Sequence, residues 1–161
     1  MIDTESFRIG QGYDSHALVA GRPFFLGGVE LPAEAGAMAH SDGDCLLHAL
    51  IDAILGASAR GDIGQWFPDS DPAFKGVASS ELLATVLADP EVGRFRIVNL
   101  DATVFLDRPR LSPHRETLQA SLCRLLGLEP GRVNLKAKTW EGMPWAAALV
   151  AASATVLLAP A

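Results

Sequence analysis

The sequence predicts an α/β fold, α+β in arrangement, built as a single domain over residues 1–161. Three observations predict it. Side chains alternate in character along residues 7–13 and 95–106, as they do on strands. Apolar residues recur at three- and four-residue spacing along 46–55, 82–87 and 118–126, as they do on helices. No internal repeat or low-complexity linker divides the chain. With 49% hydrophobic and 20% charged residues, a chain of this length fits one domain with a substantial core or a buried oligomer interface.

In chain order, residues 7–13 set Phe7, Ile9 and Gln11 against Arg8, Gly10 and Gly12. This is a strand whose glycines admit close approach of another backbone. Asp14, Ser15 and His16 stand at its end. On an extended strand Asp14 and His16 share a face and form a two-pronged half-site for a cation. Phe24, Phe25 and Leu26, then Val29, Glu30 and Leu31, read as two short strands around the Gly27-Gly28 turn.

From Asp42 onward, Leu46, Leu47, Leu50, Ile51, Ile54 and Leu55 predict a helix with Ser41 or Asp42 as cap and Gly56 near its stop. Ala39-His40-Ser41-Asp42-Gly43-Asp44 leads into it, and His48 follows one turn after Asp44. Three of the four histidines thus stand beside acidic residues in two short blocks. A carboxylate with neutral imidazoles suits zinc, which accepts both and keeps a position open when catalytic. Asp14, His16, His40, Asp44 and His48 are all candidate ligands at this level. Each histidine taken singly also reads as a surface residue near a cap or turn. Asp52, four residues after His48, is either a carboxylate that orients a ligating imidazole or a solvated charge on the polar face.

Residues 61–72 read as a loop of turn residues, carboxylates and aromatics, a mixture that often lines ligand sites. Ser79 or Ser80 caps the next helix, which ends before Asp89-Pro90. The strand over 95–106 places Val98, Leu100, Ala102, Val104 and Leu106 on an apolar face. Ile97, Asn99, Asp101, Thr103 and Phe105 make a mixed face that meets a partner or a solvent channel. Arg108-Pro109-Arg110-Leu111-Ser112-Pro113-His114-Arg115 is a basic knot at a helix start and a candidate anion site. Residues 132–139 predict a strand leading into a loop where Glu141 lies between Trp140 and Trp145. The closing segment to Leu158 is ambiguous, its alanines favouring helix and Leu149-Val150 and Thr155-Val156-Leu157-Leu158 favouring a buried strand.

A formal charge of −6 argues against nucleic acid as the main partner, although a few converging basic residues still admit a phosphorylated substrate. Cys45 and Cys123 read as core filler, with no disulfide framework. The opening residues 1–6 are polar and acidic, unlike a signal peptide, which makes a cytoplasmic address the expectation. The apolar stretch 146–152 is too short to span a bilayer, so no membrane segment is expected.

Taken together, Arg8-Ile9-Gly10 with Gly12-Tyr13-Asp14-Ser15-His16, the His40 and His48 blocks, Gly61-Asp62-Ile63-Gly64, Phe67-Pro68-Asp69-Ser70-Asp71-Pro72, Pro109-Arg110-Leu111 and Val133-Asn134-Leu135-Lys136 resemble the 2-C-methyl-D-erythritol 2,4-cyclodiphosphate synthase family. The resemblance spans nearly the whole chain. It implies a homotrimer of subunits, each a β-sheet backed by helices, with active sites at the interfaces. It implies ring closure of a cytidine diphosphate substrate with release of CMP in isoprenoid precursor synthesis. It assigns zinc to Asp14, His16 and His48, a second cation (magnesium or manganese) to Glu141, and transition-state stabilisation to His40 and Thr139. Substrate contacts are implied for Asp14, Ser15, His16, His40 and Ser41; for Asp62, Ile63 and Gly64; and for Phe67, Pro68, Asp69, Ser70 and Asp71. The cytidine pocket maps to Leu106, Asp107, Arg108, Pro109, Arg110, Leu111 and Ser112, where backbone and shape count for more than the arginines' charge. Lys138, Thr139, Trp140 and Glu141 complete the implied contacts, and Asp44 falls back to a structural place at the helix start.

The chain departs from the family pattern near its end. A Thr-Thr-Thr-Glu run is replaced by Lys138-Thr139-Trp140-Glu141, and the segment after it is shortened to Met143-Pro144-Trp145-Ala146-Ala147, without the family's arginine and second glutamate. Two rival readings follow from the residues: a zinc phosphohydrolase that delivers water, and a non-catalytic nucleotide- or isoprenoid-binding trimer.

Overall fold

Two glycines decide how the layers of this protein meet. The computed structural model describes residues 6–161, so most of the opening polar stretch, on which the cytoplasmic expectation leans, lies outside the described residues. Strand β1 (Arg8–Ala20) is thirteen residues long, and helix α1 (Cys45–Ala57) lies directly on it. A Cβ on Gly10 would stand 1.8 Å from the Ala53 carbonyl oxygen, and one on Gly12 would stand 1.9 Å from that of Ala49. The close backbone approach expected from these glycines is therefore that of α1. Asp14 and His16 sit inside β1 rather than at its end, because the strand continues past them.

The chain then forms β2 (Phe24–Leu26) and β3 (Val29–Leu31), an antiparallel hairpin. Its turn residues, Gly27 and Gly28, have φ of 59° and 76°, the left-handed conformations a tight two-residue hairpin turn requires. β4 (Ala35–Ala37) returns to pair with the end of β1. α1 follows, and its Leu46, Leu47, Leu50, Ile51, Ile54 and Leu55 are all fully buried. A helix apolar on every side must be enclosed. β1 and the last strand cover one side, while helix α3 (Ser79–Leu87) and the hairpin contact others.

The N-cap of α1 is Asp44, not Ser41 or Asp42. Its Oδ1 accepts from the Leu47 N–H at 3.0 Å and the Gly27 N–H at 2.9 Å, and Oδ2 accepts from the Gly28 N–H at 2.6 Å. One buried carboxylate thus starts the helix and anchors the hairpin turn. At the other end the helix continues through Gly56 to Ala57. The loop over 61–72 contains a short helix, α2 (Ile63–Trp66), and Phe67 behind it packs edge-on against Phe74 at 5.3 Å.

β5 (Phe95–Phe105), helix α4 (Arg115–Leu126) and β6 (Val133–Lys138) form a parallel pair joined through α4. The ambiguous last segment is a strand, β7 (Leu149–Pro160), held between β1 and β5 in the order β4-β1-β7-β5-β6. Its Ala152 and Ala154 are fully buried, so their small size serves close packing under α1 instead of helix propensity. The register slips between Ile97 and Asn99 where β5 pairs with β7. That bulge moves Ile97 to the core side, opposite Leu158, and corrects its expected place on the mixed face.

Beyond the bulge, Leu100, Ala102, Val104 and Leu106 are buried as expected. The other face of the sheet carries Ile9, Gln11 and Tyr13 on β1 with Asn99, Asp101 and Thr103 on β5. These stay exposed or half-buried, Ile9 at 75% and Tyr13 at 60%.

Candidate metal centre

β1 and α1 each deliver part of a donor cluster across their seam. The pleat of β1 turns Asp14 and His16 toward the helix, and α1 turns His48 toward the strand. Asp14 Oδ2 lies 2.8 Å from His16 Nε2 and 3.1 Å from His48 Nδ1, and the two nitrogens are 3.2 Å apart. In a tetrahedral zinc site with bonds of about 2.0–2.1 Å, neighbouring donors stand roughly 3.3 Å apart. The triangle therefore fits a first-row cation within a few tenths of an ångström, and its oxygen and two imidazole nitrogens are the donor types such ions take.

Electrostatics agree with that geometry. Burial opposes the charge on Asp14, but the hydrogen bonds and charge of His16 and His48 hold its carboxyl well below the usual carboxylate range. Burial likewise opposes charge on His48, yet Asp14, Asp44 and Asp42 together lift its imidazole above the ordinary value. Cys45 stands outside this donor cluster. Burial, with Asp14 and Asp44 nearby, pushes its thiol up, and Sγ donates to the Asp14 carbonyl at 3.1 Å.

The cluster opens on a cleft of about 340 Å³ lined by Asp14, His16, His40, Ser41, His48, Ile63, Gly64, Phe67 and Asp69 among others. These are residues from five separate sequence blocks. His40 Nε2 is buried there without a hydrogen-bond partner among the described residues, so it has bonding capacity to offer a ligand. Asp52 does not orient His48; its Oδ1 accepts from the Ile63 N–H at 2.7 Å and pins the cleft's outer loop to α1. Asp62 and Asp71 act as caps, accepting from Gln65 N–H and Ala73 N–H at 2.9 Å each. Ser15, between the two strand ligands, lies on the opposite face of β1 and is exposed. Pro68 and Ser70 also lie outside the cleft lining.

A second cavity, of about 490 Å³, is lined by Leu106, Asp107, Arg108, Arg110, Leu111 and Ser112 with Lys138, Thr139 and Glu141. Its loops leave the C-terminal ends of the parallel pair β5 and β6, a common place for ligands in such sheets. Pro109 instead lines a neighbouring hollow. Thr139 Oγ1 donates to Glu141 Oε1 at 2.5 Å, and Glu141 takes a left-handed φ of 51°, a strained conformation typical of ligand-binding positions. Trp140 is fixed beside them: its backbone N–H donates to Asp107 at 2.8 Å and its ring packs between Phe105 and Trp145. The cation cluster and this cavity are set apart by the sheet order. From β1 to β6 is three strand spacings, about 14 Å.

Sequence reasoning missed Ser79 and Asp42 at the cation centre. Ser79 starts α3 without capping it, the cap position being Ala78. Its hydroxyl instead meets His48 Nε2 at 2.8 Å and Asp42. Only tertiary packing brings α3 to His48, and nothing in the spacing of these residues signals it.

Fold and centre together define an α/β protein with a candidate cation centre whose donor side chains join a strand to a helix. The chain belongs to the YgbB family, whose model matches residues 7–159. A 2-C-methyl-D-erythritol 2,4-cyclodiphosphate synthase of Geobacillus kaustophilus is 50% identical over 94% of this chain and 98% of its own length. The chloroplastic enzyme of that name from Arabidopsis thaliana is 52% identical over 86% of this chain, which spans 60% of the plant protein. A solved structure of such a synthase in a CDP-bound form superposes with a TM-score of 0.88 at 46% identity, covering 94% of this chain and 99% of that one. No helix among the described residues is long and apolar enough to cross a membrane.

Proposed function

We propose that this protein converts 4-diphosphocytidyl-2-C-methyl-D-erythritol 2-phosphate to 2-C-methyl-D-erythritol 2,4-cyclodiphosphate and CMP, as a cytoplasmic homotrimer in isoprenoid precursor synthesis. The observation that carries the reading is the Asp14–His16–His48 donor triangle on the floor of a cleft, in a chain so similar to enzymes of that name. An oxygen of the 2-phosphate bonds to the β-phosphorus, and the bond from that phosphorus to the oxygen of the CMP phosphate breaks. Nucleophile and leaving group are both phosphates, so the step needs alignment and charge neutralisation more than a strong base.

Asp14, His16 and His48 would hold zinc and Glu141 a magnesium or manganese ion; when bound, the two cations neutralise and align the diphosphate. His40 has its buried Nε2 available to the reacting phosphates. Ser41, Ile63, Gly64, Phe67 and Asp69 shape the cleft for the methylerythritol phosphate. The loops over 106–112 and 138–142 take the cytidine. Thr139, tied to Glu141, is positioned to stabilise the transition state from that side.

The homotrimer is supported by the separation of the two half-sites and by the exposed sheet face bearing Ile9 and Tyr13. A neighbouring copy then brings its 106–112 and 138–142 loops to the cation cleft of the first.

The decisive experiment incubates the protein with the cytidylated substrate, zinc and magnesium, and identifies products by phosphorus NMR. Cyclic diphosphate with CMP supports the synthase. An open-chain phosphate instead supports a hydrolase, and no product at all a binding protein. Subunit sharing is tested by co-refolding His48→Ala with Glu141→Gln chains, assayed at a magnesium concentration too low for either variant alone to turn over. At equal amounts about a quarter of the interfaces recover both intact halves; no regained activity would place each site within one chain.

A further inference from the structure

The imidazole of His48 has two nitrogens, and the structure gives each a different task. Nδ1 faces Asp14 and His16 at 3.1 and 3.2 Å. Nε2 faces the hydroxyl of Ser79 at 2.8 Å and that of Ser41 at 3.1 Å. Ser79 is fully buried, and its hydroxyl makes a very short contact with Asp42 Oδ1. The Asp42 carboxylate is itself held by the Ser79 N–H at 2.9 Å and the Asp44 N–H at 3.1 Å.

Proton counting fixes the direction of this chain. A serine hydroxyl has one proton to give and two lone pairs to receive with. The acceptor-only carboxylate of Asp42 takes the Ser79 proton, so toward His48 the same oxygen must accept. Nε2 then carries a hydrogen whatever the state of Nδ1, so the proton that Nδ1 shares with Asp14 is the one a cation displaces. Ser41 is the weaker competitor. It is 0.3 Å further away, by the difference between 3.1 and 2.8 Å, and its oxygen already accepts the Gly43 N–H.

We infer that Ser79, set by Asp42, is a positioning residue that fixes the tautomer and ring orientation of His48 and so tunes cation affinity at the Asp14–His16–His48 centre. The inference rests on the reading of that centre as a cation site. A carboxylate usually supports a ligating histidine directly. Here a hydroxyl lies between them, and the support comes from the start of a different helix. α3 thereby gains a part in cation binding although it supplies no ligand.

The test uses zinc alone as probe, by competition with a chromogenic chelator, on wild type, Ser79→Ala and Asp42→Asn. In parallel, nitrogen NMR of histidine-labelled, metal-free protein at mildly alkaline pH reads the His48 tautomer. Wild type is expected to bind zinc and to show hydrogen on Nε2. Ser79→Ala should weaken zinc roughly 10- to 100-fold, the usual effect of removing an outer partner, and lose that tautomer preference. Ser79→Thr, which restores the hydroxyl, should regain most of the affinity. Wild-type protein that fails to bind zinc would sink the cation site itself. Zinc binding in folded Ser79→Ala within twofold of wild type would overturn the positioning role alone. Metal-free wild type without hydrogen on Nε2 would also overturn it, whether or not the variants fold.

Discussion

Asp14 and His48 are 34 residues apart in sequence, yet Asp14 Oδ2 and His48 Nδ1 stand 3.1 Å apart across the seam between β1 and α1. That contact joins the first strand to the first helix, and the candidate cation centre is built around it. Losing the imidazole removes a donor while leaving the surrounding apolar packing in place. His48→Ala is expected to bind zinc at least 100-fold more weakly and to lose turnover, while circular dichroism and sedimentation stay those of wild type. Full activity in this variant or in metal-free protein would end the proposed mechanism.

Gly12→Ala should be among the most damaging single methyl additions to this chain. Its Cβ would meet the Ala49 carbonyl oxygen at 1.9 Å and the Ala53 nitrogen at 2.8 Å. Relieving such overpacking costs about 1–3 kcal/mol or more. Calorimetry should show a lowered Tm, and zinc affinity should fall with it; an unchanged Tm would contradict the close seating of α1.

Asp44→Ala leaves the N–H groups of Gly27, Gly28 and Leu47 without their acceptor in a buried place. The expected cost is on the order of 3 kcal/mol in urea unfolding, with Asp44→Asn losing less because it keeps one acceptor oxygen. A loss under about 1 kcal/mol for the alanine variant would show that water reaches the turn and replaces the carboxylate.

Glu141→Gln is predicted to shift the magnesium or manganese titration of activity to higher concentration without releasing zinc. Glu141 is not a donor of the Asp14–His16–His48 triangle, so its loss leaves the zinc donors intact. Identical titration curves for variant and wild type would remove Glu141 from the second cation.

Asp52 provides a pH test in metal-stripped protein. Partial burial raises its carboxyl above the ordinary value, with Asp62 and Asp14 adding to the shift. The folded state therefore holds the Asp52 proton more tightly than the unfolded chain does, and the charged form destabilises the fold at neutral pH. Asp52→Asn keeps an oxygen for the Ile63 N–H and removes that charge. It should be more stable than wild type at pH 7, the advantage fading as pH falls through the folded value toward about 4. A penalty at pH 7 that persists at pH 3 would reverse the assignment.

Much of the centre was legible because strand and helix periodicities are local. Asp14 and His16 share a face by the two-residue repeat, and the Leu46 to Leu55 pattern already places His48 on a buried helix. The partners of those residues were not legible. Helical spacing offered Asp52 to His48, but the loop carrying Ile63 claims it, and Asp42 serves His48 through Ser79 instead. Cap chemistry favoured Ser41 or Asp42, whereas Asp44 wins because only its position also reaches the Gly27-Gly28 turn. β7 hid its nature for a similar reason: its alanines match the low profile required beneath α1, a need set by packing that no local propensity records.

The Gly10 and Gly12 contacts have a genetic consequence. A clash with a neighbouring side chain is open to repair by trimming that neighbour, but here the obstacles at 1.8 and 1.9 Å are carbonyl oxygens of α1, which every residue type carries. Trimming the side chains that also come near, Ala57 at Gly10 and Asp52 at Gly12, leaves those oxygens in place and suppresses neither replacement. A second-site suppressor must lift the whole helix, and His48 travels with it away from Asp14 and His16. Revertants that regain a folded protein by this route should emerge blind to zinc, so that selection for activity returns only true reversions at these two codons.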